Sequence, residues 1–166
     1  KYIRSLEEAE EIHKQKGSGF VDAGDFSFKT KPYDHQRKAF YLSRDKEAFA
    51  LLMEQGTGKT KVIIDNAAYL YGRDEISALV VIAPNGVHRN WLSKEIPAHM
   101  PDWCHYKSVF YYSGINAKDT EKFNEVISAQ DCLRIFAFNC ESFVSKKAVE
   151  FMYKIIMSNK VMLVVD

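Results

Sequence analysis

The densest chemistry in this chain lies at Gly56-Thr57-Gly58-Lys59-Thr60. Two glycines one residue apart let the backbone take conformations that a β-carbon resists, so successive N–H groups can turn inward as an anion nest. A helix starting near Lys59 would add its N-terminal partial positive charge. The Lys59 ammonium would neutralise β/γ-phosphate charge, and the Thr60 hydroxyl would ligate Mg²⁺. The general phosphate-loop pattern opens with a glycine where this chain has Met53.

Such a loop needs a strand before it and a helix after it. The apolar run at 48–53 reads as the strand. Ile63, Ala67 and Leu70, with Ile64, Ala68 and Tyr71, recur at helical spacing behind it until Gly72. From about Pro32 onward, short apolar runs alternate with amphipathic segments, the signature of β-α units around a parallel sheet. Further strands are expected at 78–83, 108–112, 133–138 and 161–165, and helices at 59–71, 87–99, 118–129 and 145–158. ALVVIA and VMLVV hardly alternate, so both read as strands buried on two faces. Residues 5–16 suit a short surface helix ended by Gly17-Ser18-Gly19.

With 166 residues, 46% of them apolar, the chain can fill one sizeable core. Its 23 basic and 22 acidic residues balance, so any nucleic-acid contact must be local rather than a bulk field. Cys104, Cys132 and Cys140 form no C-x-x-C pair and are odd in number, which suits reduced thiols serving as small core residues. The five histidines have no HExxH partner, so no metalloenzyme pattern is present. No apolar run reaches the roughly 18 residues of a membrane span, and a soluble, cytosolic chain is expected. It opens on Lys1 without a methionine and stops at Asp166 after an apolar run, so it is read as part of a longer protein.

Glu54-Gln55-Gly56-Thr57-Gly58-Lys59-Thr60 resembles motif I of superfamily 2 helicases, especially the Swi/Snf-type branch, whose loop runs Asp-Glu-Met-Gly-x-Gly-Lys-Thr without the first glycine. Glu54 matches, and Gln55 replaces the methionine. Pro32-Tyr33-Asp34-His35-Gln36 resembles the upstream Q motif, which implies that the Gln36 amide reads the adenine edge by giving and accepting hydrogen bonds. Val80 to Trp91 resembles motif Ia with its Pro…Val…Asn-Trp continuation. There, the turn at Pro84, Asn85 and Gly86 presents free backbone N–H groups to a nucleic-acid phosphate, and Arg89 adds charge. Trp91 is assigned to packing the helix on the sheet. Ile135 to Ser142 lies where relatives carry a Thr-Thr-Tyr-Glu-like segment, which implies backbone contacts near Asn139 and Ser142. Asp166, ending the run at 161–165, is similar to the first aspartate of motif II and would hold the Mg²⁺ water shell.

The resemblance implies an α/β fold, a P-loop NTPase RecA-like domain with a central, mostly parallel sheet flanked by helices. Residues 31–166 would be its first lobe, cut within motif II, and 1–30 an N-terminal extension in which Phe28 could lie over adenine. It implies ATP and Mg²⁺ as cofactors, with Lys59 and Asp166 catalytic and Gln36, Gly56, Thr57, Gly58, Lys59 and Thr60 around the nucleotide. It also implies duplex DNA as partner, and a second RecA-like lobe of the same chain supplying an arginine finger. The location would be cytoplasmic, nucleoid-associated, or host cytoplasm for a phage protein. The glutamate that follows motif II's aspartate in relatives, and the second lobe, lie outside this sequence, so weak ATP-Mg²⁺ binding and slow hydrolysis are expected of it alone. A P-loop switch or assembly ATPase without translocation is the rival reading, and a nucleic-acid-binding module a third.

Overall fold

The computed structural model describes residues 26–166 apart from Ser113, and the expected helix at 5–16 lies outside them. Its elements are α1 (Asp34–Ser43), α2 (Lys59–Gly72), β1 (Ala78–Ala83), α3 (Val87–Asn90), a π-helical turn (Trp91–Glu95) and α4 (Ile96–His99). They continue with β2 (Tyr106–Tyr111), α5 (Ala117–Ile127), β3 (Leu133–Asn139), a 3₁₀ turn (Cys140–Val144), α6 (Lys146–Ser158) and β4 (Val161–Val165). The four strands form an all-parallel sheet in the order β2-β3-β1-β4. This is an α/β fold with helices on both faces of the sheet.

Alternation along the strands divides the core into two layers. Leu79, Val81 and Ala83 of β1 face Ile64, Ala67 and Ala68 of α2, together with Trp91, Ile96 and Met100. Ala78 and Val80 face the opposite way, onto Phe123 of α5 and Phe151 and Ile155 of α6. Phe123 is fully buried, its ring centroid 4.5 Å from that of Phe151 and 5.5 Å from that of Phe136. A strand with apolar side chains on both faces needs such a layer on each, and so ALVVIA lies at the middle of the sheet.

VMLVV does not follow that expectation. Met162 and Val164 pack into the first layer, but Leu163 is 55% and Val165 77% exposed, because β4 is an edge strand paired only with β1. The strand expected at 48–53 is likewise absent. That segment joins no ladder; Leu51 packs on an aromatic cluster while Phe49 and Leu52 are exposed. The run at 48–53 therefore stays outside the four-stranded sheet, in which both edges of β1 are taken by β3 and β4.

The cluster that receives Leu51 joins α1 to the outer side of α2. Phe40, Val62 and Tyr69 are its buried members, with Phe26 and Phe28 edge-on or tilted against Phe40 at 5.0–5.1 Å. Beneath Phe28 lies a buried ion pair: Lys61 Nζ is 2.7 Å from Asp65 Oδ2 and 5.2 Å from the Phe28 centroid. Burial pushes the Asp65 carboxyl up to about 6, although the hydrogen bond and charge of Lys61 pull it down. Its Oδ1 has no hydrogen-bond partner among the described residues.

Cys104 is buried and its thiol pushed up to about 12 by that burial, as suits a core cysteine. Cys140 is exposed, so the core assignment does not extend to it. No helix among the described residues is long and apolar enough to cross a membrane.

Candidate functional site

The glycine loop opens α2 as expected. Gly56 and Gly58 have φ of +79° and +85°, and Gly58 is the N-cap of the helix. Only glycine adopts this region without strain, so the two positions set the turn. Thr57 closes it, donating from its backbone N–H and its hydroxyl to the Glu54 carbonyl. A β-carbon at Gly56 would meet nothing within 4 Å, so the space above the loop is open. Lys59 folds back on the segment before the loop, its ammonium donating to the carbonyls of Met53 at 3.0 Å and Glu54 at 3.1 Å. An ammonium held by two neutral carbonyls keeps its charge available to an incoming anion. The donor set fits a polyphosphate: an open cradle, a helix N-terminus, the Lys59 ammonium and the Thr60 hydroxyl in the first turn.

Gln36 comes to the same loop from α1. Its Oε1 accepts from the Tyr33 N–H at 3.0 Å, and its Nε2 donates to the Thr57 carbonyl at 3.0 Å. His35 Nε2 lies 2.9 Å from that same carbonyl, a contact nothing in the sequence signalled. Each amide atom of Gln36 retains a second hydrogen-bonding position. Around the start of α1, Phe28, Lys31, Pro32, Asp34 and Arg37 line a cleft of about 330 Å³; Gln36 is not among its lining residues.

A second group of expected residues gathers at the C-terminal edge of the sheet. Ala83 is in register with Asn139, and the Asp166 N–H donates to the Ile82 carbonyl at 2.9 Å, so β1, β3 and β4 deliver their following residues side by side. Pro84, Asn85, Gly86 and Arg89 are exposed there, with the Arg89 guanidinium over the Phe110 ring. Asn139 is buried and its Oδ1 has no hydrogen-bond partner among the described residues; the same holds for His88 Nε2, whose ring burial pushes below its ordinary pKa. Orphaned buried polar atoms are uncommon and mark places where a ligand or water completes the bonding. Glu141 ties the two turns together. Its carboxyl is held below its usual range by its own backbone N–H, then the Cys140 thiol, the Asn139 side chain and the Asn85 N–H.

Ser142 departs from its expected contact with nucleic acid. It is fully buried, and its hydroxyl donates to the Asn139 carbonyl at 2.7 Å, so it shapes the turn from inside. Trp91 packs in the core as expected, but its indole N–H also donates to Asp166 Oδ2 at 2.9 Å. No hydrogen bond or ion pair joins Asp166 to the glycine loop among the described residues. The loop and the edge turns are thus two separate constellations, the first built on α1 and α2 and the second on strand ends.

Fold and site together define an α/β protein with a phosphate-type glycine loop and a polar edge of strand-end turns. No family model matches the chain, and no curated protein matches it. Among solved structures it is similar to the Sulfolobus solfataricus SWI2/SNF2 ATPase core in complex with dsDNA, at 16% identity and a TM-score of 0.47. That similarity covers 84% of this chain, which spans 38% of the length of the other.

Proposed function

We propose that this chain is the nucleotide-binding lobe of an ATP-dependent motor of the Swi/Snf-like type that moves on duplex DNA, with residues 31–166 as a RecA-like lobe. What carries the reading is the loop: two left-handed glycines at a helix N-terminus beside an open space, with the Lys59 ammonium held on the carbonyls of Met53 and Glu54 that lead into it. Gly56, Thr57 and Gly58 cradle the β- and γ-phosphates through backbone N–H groups, and Lys59 swings from the Met53 and Glu54 carbonyls to neutralise them. Thr60 and Asp166 hold Mg²⁺ and its waters. The bound ATP-Mg²⁺ supplies the transferable phosphoryl group and the metal charge that stabilises its transfer. The base lies near Gln36, and the cleft bounded by Phe28, Lys31 and Pro32 at the start of the same helix is the candidate to receive it. Pro84, Asn85, Gly86, Arg89 and Asn139 contact DNA phosphates, a mode that reads no sequence. A second lobe contributes the arginine finger in the complete motor.

The test is titration of the full chain with a fluorescent ATP analogue, with and without Mg²⁺. Lys59→Ala is expected to weaken binding at least about tenfold, the loss of a charge-assisted contact, while far-ultraviolet circular dichroism stays unchanged. Unchanged affinity would show that the loop is not the site.

A further inference from the structure

We infer that Trp91 is a positioning residue that fixes the Asp166 carboxylate and connects it mechanically to the turn at Pro84 to Asn90; this rests on the reading of Asp166 as the Mg²⁺-shell carboxylate. Three observations carry it. Trp91 is 1% exposed, and its Nε1–H donates to Asp166 Oδ2 at 2.9 Å. A buried indole N–H requires an acceptor, and phenylalanine would fill the same apolar layer without creating that demand. The Asp166 backbone is separately pinned by its N–H to the Ile82 carbonyl. Main chain and side chain are therefore held from two elements, and Oδ1 is the oxygen left to face a metal-bound water.

The third observation is the π-helical turn that begins at Trp91 and runs to Glu95, between α3 and α4. Such turns insert an extra residue into the helical ladder, cost stability, and concentrate at functional sites. Here the turn begins at the residue whose indole reaches the carboxylate, immediately after His88, Arg89 and Asn90. A shift of the DNA-facing turn must move the indole, and the indole moves Asp166. The structure thereby provides a short rigid link between nucleic-acid contact and the metal-holding group, one side chain long.

The experiment uses the full chain labelled with ¹⁵N at its two tryptophans, Trp91 and Trp103. The Trp91 indole N–H is expected to exchange slowly with solvent, and Asp166→Ala to shift it and speed its exchange while Trp103 stays put. An indole resonance indifferent to Asp166→Ala overturns the inference, whatever nucleotide does. In the nucleotide titration, Trp91→Phe is expected to raise the Mg²⁺ concentration needed for tight binding by about 10- to 100-fold, the usual cost of losing a group that orients a metal-holding residue, and to leave Mg²⁺-free binding unchanged. Wild-type Mg²⁺ dependence in Trp91→Phe, with Lys59→Ala still defective, overturns the role of Trp91 and leaves the nucleotide site standing. Wild-type affinity in Lys59→Ala overturns the site reading and this inference with it.

Discussion

The side-chain amide of Gln36 rests against the α-carbon of Gly58: Nε2 donates to the Thr57 carbonyl at 3.0 Å, and a β-carbon on Gly58 would overlap that nitrogen. The loop is thus shaped by α1 as well as by its own glycines. Gly58→Ala meets two obstacles, a φ of +85° and the amide. It is expected to cost about 1–3 kcal/mol in urea unfolding. Part of that cost is the overlap, so in a double-mutant cycle Gln36→Ala should lower the penalty of Gly58→Ala. Strict additivity would show that Gln36 does not shape the loop.

Arg89 is exposed and its guanidinium lies 5.1 Å from the Phe110 centroid, which holds the charge at the sheet edge. Arg89→Ala should weaken duplex-DNA binding, measured by fluorescence anisotropy, equally for unrelated sequences. The slope of log affinity against log salt should fall in magnitude by about 0.9, one phosphate contact. An unchanged slope would remove Arg89 from the interface.

Asp65 makes stability depend on pH. Its folded pKa of about 6 lies above the ordinary 3.8, so the folded state binds the proton more tightly. Its contribution favours folding below that range and is lost as pH rises through about 6. Relative to Asp65→Asn, the wild type should therefore gain about 1 kcal/mol between pH 7.5 and pH 5 in urea unfolding. A difference that shrinks on acidification would mean the Lys61 charge outweighs burial.

Phe123 anchors the layer beneath α5 and α6, fully buried among Phe136, Phe138 and Phe151. Phe123→Ala should cost about 3–5 kcal/mol, read from the denaturation midpoint. Nucleotide affinity, tested under strongly native conditions, should be retained, because the loop sits on the opposite layer.

By itself the sequence determined what local chemistry can encode. The spacing of Gly56, Gly58 and Lys59 specifies a left-handed turn and a helix start, and both formed where expected. The runs at β1 and β3 were legible because apolar side chains must be buried whichever strands turn out to be neighbours; β4 also formed where its run lay, but with one face exposed. Pairing was not legible, because ladder hydrogen bonds are made by backbone groups that every residue shares. Tertiary structure alone therefore decided that 48–53 has no partner, that β4 is an edge, and that Gln36 and His35 meet at the Thr57 carbonyl. It also decided that Trp91 and Asp166, far apart in the chain, share a hydrogen bond: periodicity marks an indole for burial, but only the packed sheet determines which acceptor its N–H will find.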